Sequence, residues 1–242
     1  MFGRRRSHAR STGASKPLPD PVASPPREEL PHPQGPWDAG DVDLDELAPD
    51  AGERVDLGSL VIAGRPRIEL RLQVDEHSQA VTAVLLVAPD GAVELRAFAA
   101  PRNEAIWDDV RREIGAEATR RGGTATEQPG PYGTELRLAV PVRTPDGRHG
   151  TQVSRVVGVS APRWLLRGTF VGRAATDPDP AGDLEQTFRD VVVRRGSGPM
   201  APRSPLPLRL PPAAQPPGSH PPGVPSPGSA APDGPAWPAP PR

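Results

Sequence analysis

The sequence contains no cysteine, which excludes disulfide bonds, thiolate metal sites and cysteine nucleophiles. Lysine occurs once, at Lys16, so the folded part has no lysine for a Schiff base or for the phosphates of a P-loop. No apolar run approaches the roughly 18 residues of a membrane helix. The basic start, Met1–Arg6, continues into polar residues and not into the apolar stretch of a signal peptide. We therefore expect a cytoplasmic protein without a membrane span.

Aromatic residues make up 4% of the chain, whereas proline occurs 36 times. Nine prolines precede residue 51, ten lie in 51–198 and seventeen follow. Because proline fixes φ and has no amide donor, dense proline is incompatible with sheets and helices. The sequence thus predicts a disordered charged arm (1–52), one folded domain (53–198), an extended strap (199–211) and a disordered proline-rich tail (212–242). The tail suits either a polyproline ligand or a solvated spacer.

The net charge of −1 conceals a basic beginning and an acidic stretch. Residues 1–16 carry four arginines and Lys16, whereas residues 20–50 carry nine acidic residues against Arg27. A dedicated nucleic-acid binder usually shows a clear basic footprint, which the balanced folded part lacks. Within the acidic stretch, residues 42–47 fit a solvated linker or, alternatively, a short motif that docks on the domain or on a partner. Trp37 supports docking, because an indole is costly to leave in water.

Alternating apolar and polar residues predict an antiparallel sheet. The segment 161–172 is the most hydrophobic one and has apolar residues on both faces, so we expect it to be the central strand. Pro89, Asp90 and Gly91 form a turn that joins two strands into a hairpin. The predicted strands are residues 54–62, 67–75, 80–88, 93–97, 124–127, 136–142, 153–159 and 161–172.

Two helices are predicted to pack on this sheet. The first begins at Asn103, which can cap it, and ends at Gly122 and Gly123. The second begins at Asp183, which forms a capping-box pattern with Gln186. The apolar positions of the two helices lie at helical spacing: Ile106, Trp107, Val110, Ile114 and Ala118 in the first, and Leu184, Phe188, Val191 and Val192 in the second. The expected fold class is α+β, with one antiparallel sheet and two packed helices.

Several short motifs resemble one family when taken together and in order. They are Met1–Arg6, Gly35–Asp38, Arg54–Gly58, Ala97–Pro101, Ile106–Trp107, Pro162–Gly168, Phe188–Asp190 and Arg195–Arg203. The resemblance is to the actinobacterial family named domain of unknown function 3710, over about residues 55–211. It implies a cytoplasmic protein and supplies no catalytic residues, and the tail after Pro211 departs from it. The predicted element order is also similar to PsbP-like sandwiches, an analogy of topology alone.

Residues able to support catalysis are few. The serines and histidines considered for a nucleophile and its base are Ser59, Ser154, Ser160, His77 and His149. Both histidines lie in predicted turns, no serine lies in a Gly-x-Ser-x-Gly elbow, and the histidine spacing matches no metal motif. We therefore expect no enzyme, no catalytic residue, no metal and no cofactor. Four carboxylates of the first helix lie where a solvated face would place them: Glu104, Asp108, Asp109 and Glu113.

Arginine is the more informative polar residue. Arg163 and Arg167 flank Trp164, and a guanidinium binds a carboxylate or phosphate bidentately. One interpretation places these two arginines at one sheet edge, where they would bind an anion or an acidic peptide. In the alternative, they pair with Glu135 or Asp190 inside the fold. Further arginine pairs lie at residues 111–112, 120–121 and 194–195.

We interpret the sequence as a non-enzymatic protein-interaction or scaffold module. Its unidentified protein partner is expected at the sheet surface near Trp164 or at the arms, with Trp37, Arg163, Trp164 and Arg167 as candidate interaction residues. Two alternatives stay open. One is a nucleic-acid- or nucleotide-associated protein that uses the arginine pairs and the basic start, and the other is an enzyme of unknown type.

Overall fold

The computed structural model describes residues 35–47, 52–78, 80–143 and 147–211. The predictions made for residues 1–34, 48–51 and 212–242 lie outside the described residues.

Seven antiparallel strands form the larger sheet, in the order β4-β5-β6-β10-β9-β8-β7. Their bounds are β4 Glu69–Val74, β5 Val81–Ala88, β6 Gly91–Ala99, β7 Thr124–Gly130, β8 Gly133–Arg143, β9 His149–Ala161 and β10 Trp164–Gly172. β10 is the fourth of the seven strands, which confirms the prediction of a central strand. The hairpin of β5 and β6, which pairs Ala88 with Gly91, is also confirmed.

A second sheet of four short strands has the order β1-β11-β3-β2. Its strands are β1 Trp37–Asp38, β2 Gly52–Asp56, β3 Leu60–Gly64 and β11 Val192–Val193, and the helices are α1 Trp107–Arg120, α2 Arg173–Thr176 and α3 Asp183–Arg189. β1 and β11 are parallel, whereas the other pairs are antiparallel. The predicted strand 54–62 is in fact this β2–β3 hairpin, which turns at Gly58 with φ +83°.

The predicted α+β class is wrong, because the described residues form mostly β-sheet, divided between two sheets of seven and four strands. The second helix is shorter than predicted. It ends at Arg189, and Val192 and Val193 belong to β11, in agreement with the preference of β-branched residues for strands. The analogy with PsbP-like sandwiches rested on one sheet with two helices and fails for the same reason.

Both predicted helix caps are also wrong. Ile106 precedes the first turn of α1, and no side chain caps that helix. Gly182 precedes α3, again without a side-chain cap, and Gln186 donates to the carbonyl of Ala181 instead of closing a capping box. The predicted end of α1 is confirmed, since Gly122 has φ +75° and its amide donates to the carbonyl of Thr119.

Apolar side chains form two layers, one on each face of the larger sheet. Trp164, Leu166 and Phe170 point into the layer between the two sheets, which α3 also lines with Phe188. Leu165 points into the layer beneath α1. Burial of β10 on both faces is thus confirmed, and it follows from the alternation of side chains along a strand.

The two ends of the described chain are part of this architecture. The amide of Trp37 donates to the carbonyl of Val191 at 2.9 Å, so residues of the predicted arm add a strand to the smaller sheet. Residues 203–209, within the predicted strap, lie beside the end of β6. There, Leu206 is 3% exposed and its amide donates to the carbonyl of Ala97 at 2.8 Å.

Candidate functional site

The indole of Trp164 lies in the core and is 1% exposed. Its Nε1 donates to Oδ2 of Asp38 at 2.6 Å, which ties the β1 segment to the central strand. Trp37, one residue earlier, is half-buried in β1. The structure therefore brings these two predicted residues together through Asp38, and Trp164 offers no surface to a partner.

Arg163 lies in the tight turn between β9 and β10 and has φ +77°, a left-handed conformation that is uncommon for a residue other than glycine. Its guanidinium donates to the carbonyls of Gly196 at 3.1 Å and Ser197 at 3.4 Å. Its own carbonyl accepts from Nε of Arg195 at 3.2 Å. The charge of Arg163 is used inside the fold, where it holds the segment after β11 against the turn.

Arg167 points to the face of the larger sheet that also carries α1. In the β6–β10 register it lies directly opposite Arg96. Its guanidinium is 5.5 Å from the ring centroid of Phe98 and 3.6 Å from the carboxylate of Glu94. Arg163 and Arg167 therefore do not meet, and Arg167 is instead paired with an arginine that the sequence analysis did not select.

The part of this face formed by β4, β5, β6 and β10 lies beside α1, which packs on β7, β8 and β9. Among the residues that the structure describes, no helix packs over this part, and its side chains are half-buried or exposed apart from the buried Ala83. We call it the open face. Its residues, placed by strand register, are Glu69, Arg71, Gln73, Ala83, Leu85, Val87, Ala92, Glu94, Arg96, Phe98, Arg167, Thr169 and Val171.

Positive charge exceeds negative charge at the centre of the open face. Like charges directly opposite each other destabilise a sheet, and Arg96 and Arg167 share the one carboxylate of Glu94, which accepts from Nε of Arg96 at 2.8 Å. The pKa of Arg167 is lowered by burial and, secondly, by the neighbouring Arg96, while Glu94 opposes the shift. The protein alone thus leaves the charge of this arginine pair partly uncompensated.

Two buried polar atoms near this pair have no hydrogen-bond partner among the described residues. They are Nε of Arg167 and Oγ of Ser160. Ser160 lies opposite Leu165 in the β9–β10 register, so it shares the face of Arg167 and is one row away along the strands. Unsatisfied buried polar groups are uncommon in native proteins and each calls for an explanation. An anionic group bound beside Arg96 and Arg167 would satisfy the arginine.

A second charged cluster is enclosed. Arg155 is 1% exposed and binds the carboxylates of Glu135, at 3.2 Å, and Glu185. The guanidinium also lies 4.2 Å from the ring centroid of Phe170, and its Nε donates to the carbonyl of Ala174. Burial raises the pKa of Glu135, and the Arg155 charge opposes this. The three side chains are buried, and the cluster joins α3 to the sheet.

An acidic cleft of about 360 Å³ lies between the β5–β6 turn and the α2–α3 segment. Its arginines already have partners, since Arg67 pairs with Asp183 at 2.9 Å and Arg173 with Asp177 at 3.3 Å. No group of three histidine, aspartate or glutamate side chains in the described ranges could hold a metal ion. The cleft is lined by Arg67, Ala88, Pro89, Asp90, Arg173, Ala174, Asp177, Asp179, Gly182, Asp183, Leu184 and Glu185.

The serines and histidines considered for catalysis are not assembled into one site. His77 follows β4, whereas His149 begins β9, and three strands separate β4 from β9. Oγ of Ser59 donates to the carbonyl of Pro207 at 2.6 Å and helps to hold the strap.

Sequence reasoning missed Arg96 and Phe98. A signal was present in β6, where Val93, Leu95 and Ala97 alternate with Glu94, Arg96 and Phe98. The first set is buried and the second set lies on the open face. Phe98 is half-buried and packs against the apolar cluster beneath α1, so this phenylalanine within the polar set marks where the open face adjoins that cluster.

The fold and the open face define a class: a mainly β protein of two sheets, with one long helix covering part of the larger sheet and a paired-arginine surface beside it. The chain belongs to the family described as protein of unknown function (DUF3710), whose model matches residues 35–216. The match confirms the resemblance read from the sequence and begins at Gly35, just before β1. No curated protein matches this chain. None of the helices in the described ranges is long and apolar enough to cross a membrane.

Proposed function

We propose that this protein is a non-enzymatic interaction module whose open face binds an acidic segment of a protein partner. The observation that carries the proposal is the Arg96–Arg167 pair, opposed across β6 and β10 with the single carboxylate of Glu94 between them. A carboxylate from the partner would supply the missing negative charge. Hydrogen bonds to charged groups contribute about 1.5–3 kcal/mol each, so this contact would add favourably to the free energy of binding.

The surroundings of the pair favour a peptide over a polyphosphate. Glu69 and Glu94 lie on the same face, and they would repel a ligand with closely spaced phosphates. Leu85, Val87 and Val171 are half-buried there and offer apolar contacts between the charged positions. An extended segment that alternates acidic and apolar side chains matches this arrangement, with acidic groups at the arginines.

Binding of a fluorescein-labelled peptide of alternating glutamate and valine, followed by anisotropy, tests the proposal with the full chain. We expect Arg167→Ala and Arg96→Ala to weaken peptide binding at least tenfold. The affinity of Arg167→Lys should lie between those of the alanine variants and the wild type, because lysine lacks the planar guanidinium group. Arg112→Ala is the matched control, since Arg112 is exposed on α1 and pairs with Asp109. Equal affinity of all variants, or no binding by the wild type, would contradict the proposal.

A nucleic-acid-associated function is the second candidate, and Phe98 is the observation that favours it. An aromatic ring beside paired arginines on a sheet can stack a base while the arginines bind phosphate. Titration of single- and double-stranded DNA at several salt concentrations separates the two functions. Phosphate contacts give an affinity that falls steeply with salt, whereas the peptide proposal expects weak binding of both DNA forms.

A further inference from the structure

β4 is an end strand of the larger sheet. It pairs with β5 along Glu69–Val74, and its other edge has no strand partner among the residues that the structure describes. An unpaired edge presents free amide and carbonyl groups, and proteins usually protect it with charge, proline or a bulge. The protection of β4 is limited to a register shift between Gln73 and Val74 and to the charges of Glu69 and Arg71.

Those two charges have opposite signs and sit symmetrically about Leu70. Glu69 and Arg71, on either side of Leu70, lie on one face, whereas Leu72 and Ile68, the residue just before β4, lie on the other. A strand with this pattern is complementary to its own antiparallel copy. The charges that would keep a foreign strand away therefore do not keep a second copy away.

We propose that β4 pairs in antiparallel fashion with β4 of a second copy, around a two-fold axis at Leu70. In this register Glu69 of each copy lies opposite Arg71 of the other, on the open face. Leu70 faces Leu70, and Ile68 faces Leu72, on the core side. Opposite charges and apolar pairs at directly opposed positions are the favourable cross-strand combinations. The interface is isologous, as expected for a two-fold dimer.

Neighbouring registers are less favourable. An axis at Arg71 would place the two Arg71 side chains opposite each other, and an axis at Leu72 would place Glu69 opposite Asp75. Both set like charges against each other, which destabilises the pairing. Charge therefore favours the register centred on Leu70 over these two.

The exposure of β4 agrees with a partner on this edge. Glu69 and Arg71 bind each other along the same strand at 2.7 Å and are largely exposed, so both are accessible for cross-strand pairs. Val74 is 42% exposed, and Leu210 is the other large hydrophobic residue in the described ranges that is classed as exposed. Leu70 and Leu72 are half-buried at the end of the core layer, where a second copy would cover them.

Pairing of this kind joins the larger sheets edge to edge and keeps the same face of each copy on the same side. The two Arg96–Arg167 sites would then lie on one continuous surface. This consequence rests on the proposed function, whereas the dimer itself does not.

Sedimentation of the full chain across a concentration series tests the interface. We expect a reversible dimer that Glu69→Arg alone and Arg71→Glu alone each weaken at least tenfold, because each change opposes like charges twice. The double variant Glu69→Arg/Arg71→Glu restores the opposite-charge pairs and should dimerise like the wild type. A chain that remains monomeric throughout would overturn the proposal.

The absence of cysteine allows an independent test of the register. Directly opposed residues of antiparallel strands have Cα atoms about 4.5–5.5 Å apart, within disulfide range. Oxidised Leu70→Cys should therefore form a covalent dimer, whereas Gln73→Cys, which would face Arg67 of the second copy, should not. Similar yields of covalent dimer from both cysteine variants would show that another surface associates. The same conclusion would follow if the charge reversals left dimerisation unchanged. A wild-type chain that stays monomeric and still binds the peptide would leave the proposed function intact while the dimer fails.

Discussion

At the scale of single residues, Arg155 and Arg167, two arginines with charged neighbours, are compensated differently. Arg155 has two carboxylates, Glu135 and Glu185, and is enclosed. Arg167 is 21% exposed and shares Glu94 with Arg96. Removing one member of a buried ion pair leaves an uncompensated charge and is strongly destabilising. The enclosed Arg155 cluster is therefore structural. At the partly exposed Arg96–Arg167 pair, a negative charge from a ligand would add the compensation that Glu94 alone does not give.

The raised pKa of Glu135 leads to a prediction about pH. Burial raises this pKa above the ordinary carboxyl value of 4.5, so the folded protein holds this proton at pH values where the unfolded chain has already released it. Stability contributed by the group is thus present below pH 4.5 and is lost as the pH rises through the raised pKa. Glu135→Gln should remove this pH-dependent decline, while the loss of one carboxylate beside Arg155 lowers stability at every pH.

Urea unfolding of wild type and Glu135→Gln at a series of pH values measures the difference. Glu127→Gln is a suitable control, because Glu127 is half exposed and pairs with Arg111 on the surface, where such a pair contributes about 1 kcal/mol or less. If the stability of Glu135→Gln followed that of the wild type at every pH, Glu135 would have an ordinary pKa.

At the scale of elements, α1 is positioned by one close contact with the sheet. Gly158 of β9 has no side chain where the indole of Trp107 lies, and a methyl group at Gly158 would overlap that ring. Nε1 of Trp107 donates to the carbonyl of Thr134 at 2.8 Å, which fixes the indole over the strands. The glycine therefore decides how closely the start of the helix approaches the sheet.

Gly158→Ala should destabilise the protein by about 1–3 kcal/mol, the usual cost of overfilling a packed core. The measurement is the free energy of unfolding in urea, with hydrogen exchange of the α1 amides as a second readout. Gly115→Ala is the control, since its new methyl group would make an ordinary 3.5 Å contact with Ala125 and alanine favours a helix interior by about 1 kcal/mol. If Gly158→Ala left the free energy of unfolding unchanged, α1 would not be held by this contact.

Strand elements of the larger sheet were predictable because each has an alternating pattern several residues long. All seven correspond to predicted strands, and β10 was correctly placed at the centre. The two-residue strands β1 and β11 were not predictable, since two residues show no periodicity. The local sequence does not show whether Asn103 caps α1 or lies in the loop before it, because the packing of Trp107 sets where that helix begins.

The candidate site was only half predictable for a related reason. Arg167 was selected from its position beside Trp164, but its neighbour Arg96 lies 71 positions earlier, and they meet through the β6–β10 register. Cross-strand register over such a separation follows from the tertiary fold and not from a local motif. Trp164 was selected for the same local reason as Arg167, and alternation places it in the core.

At the scale of the whole molecule, the segment 203–209 links the two sheets. Its backbone bonds to Ala97 and Ala99 of β6 and to Leu57 beside the smaller sheet, and Leu206 enters the core layer between them.

We expect Leu206→Ala to cost about 2–5 kcal/mol, as is usual for a buried leucine. Leu210→Ala, at a position that is 36% exposed, should cost under about 1 kcal/mol. Equal, small effects of both changes in urea unfolding would mean that the segment only rests on the surface.

This late segment also has a consequence for biosynthesis. Ala99 of β6 exchanges backbone hydrogen bonds with Arg203 and Ser204, more than 100 positions later, and Trp37 finds its strand partner at Val192. Contacts between positions so far apart make folding slow. While residues 203–209 are still inside the ribosome, the end of β6 and the adjoining core layer remain without their final cover. The nascent chain therefore carries the strand bearing Arg96 and Phe98 through the synthesis of more than 100 further residues before its last backbone partners emerge.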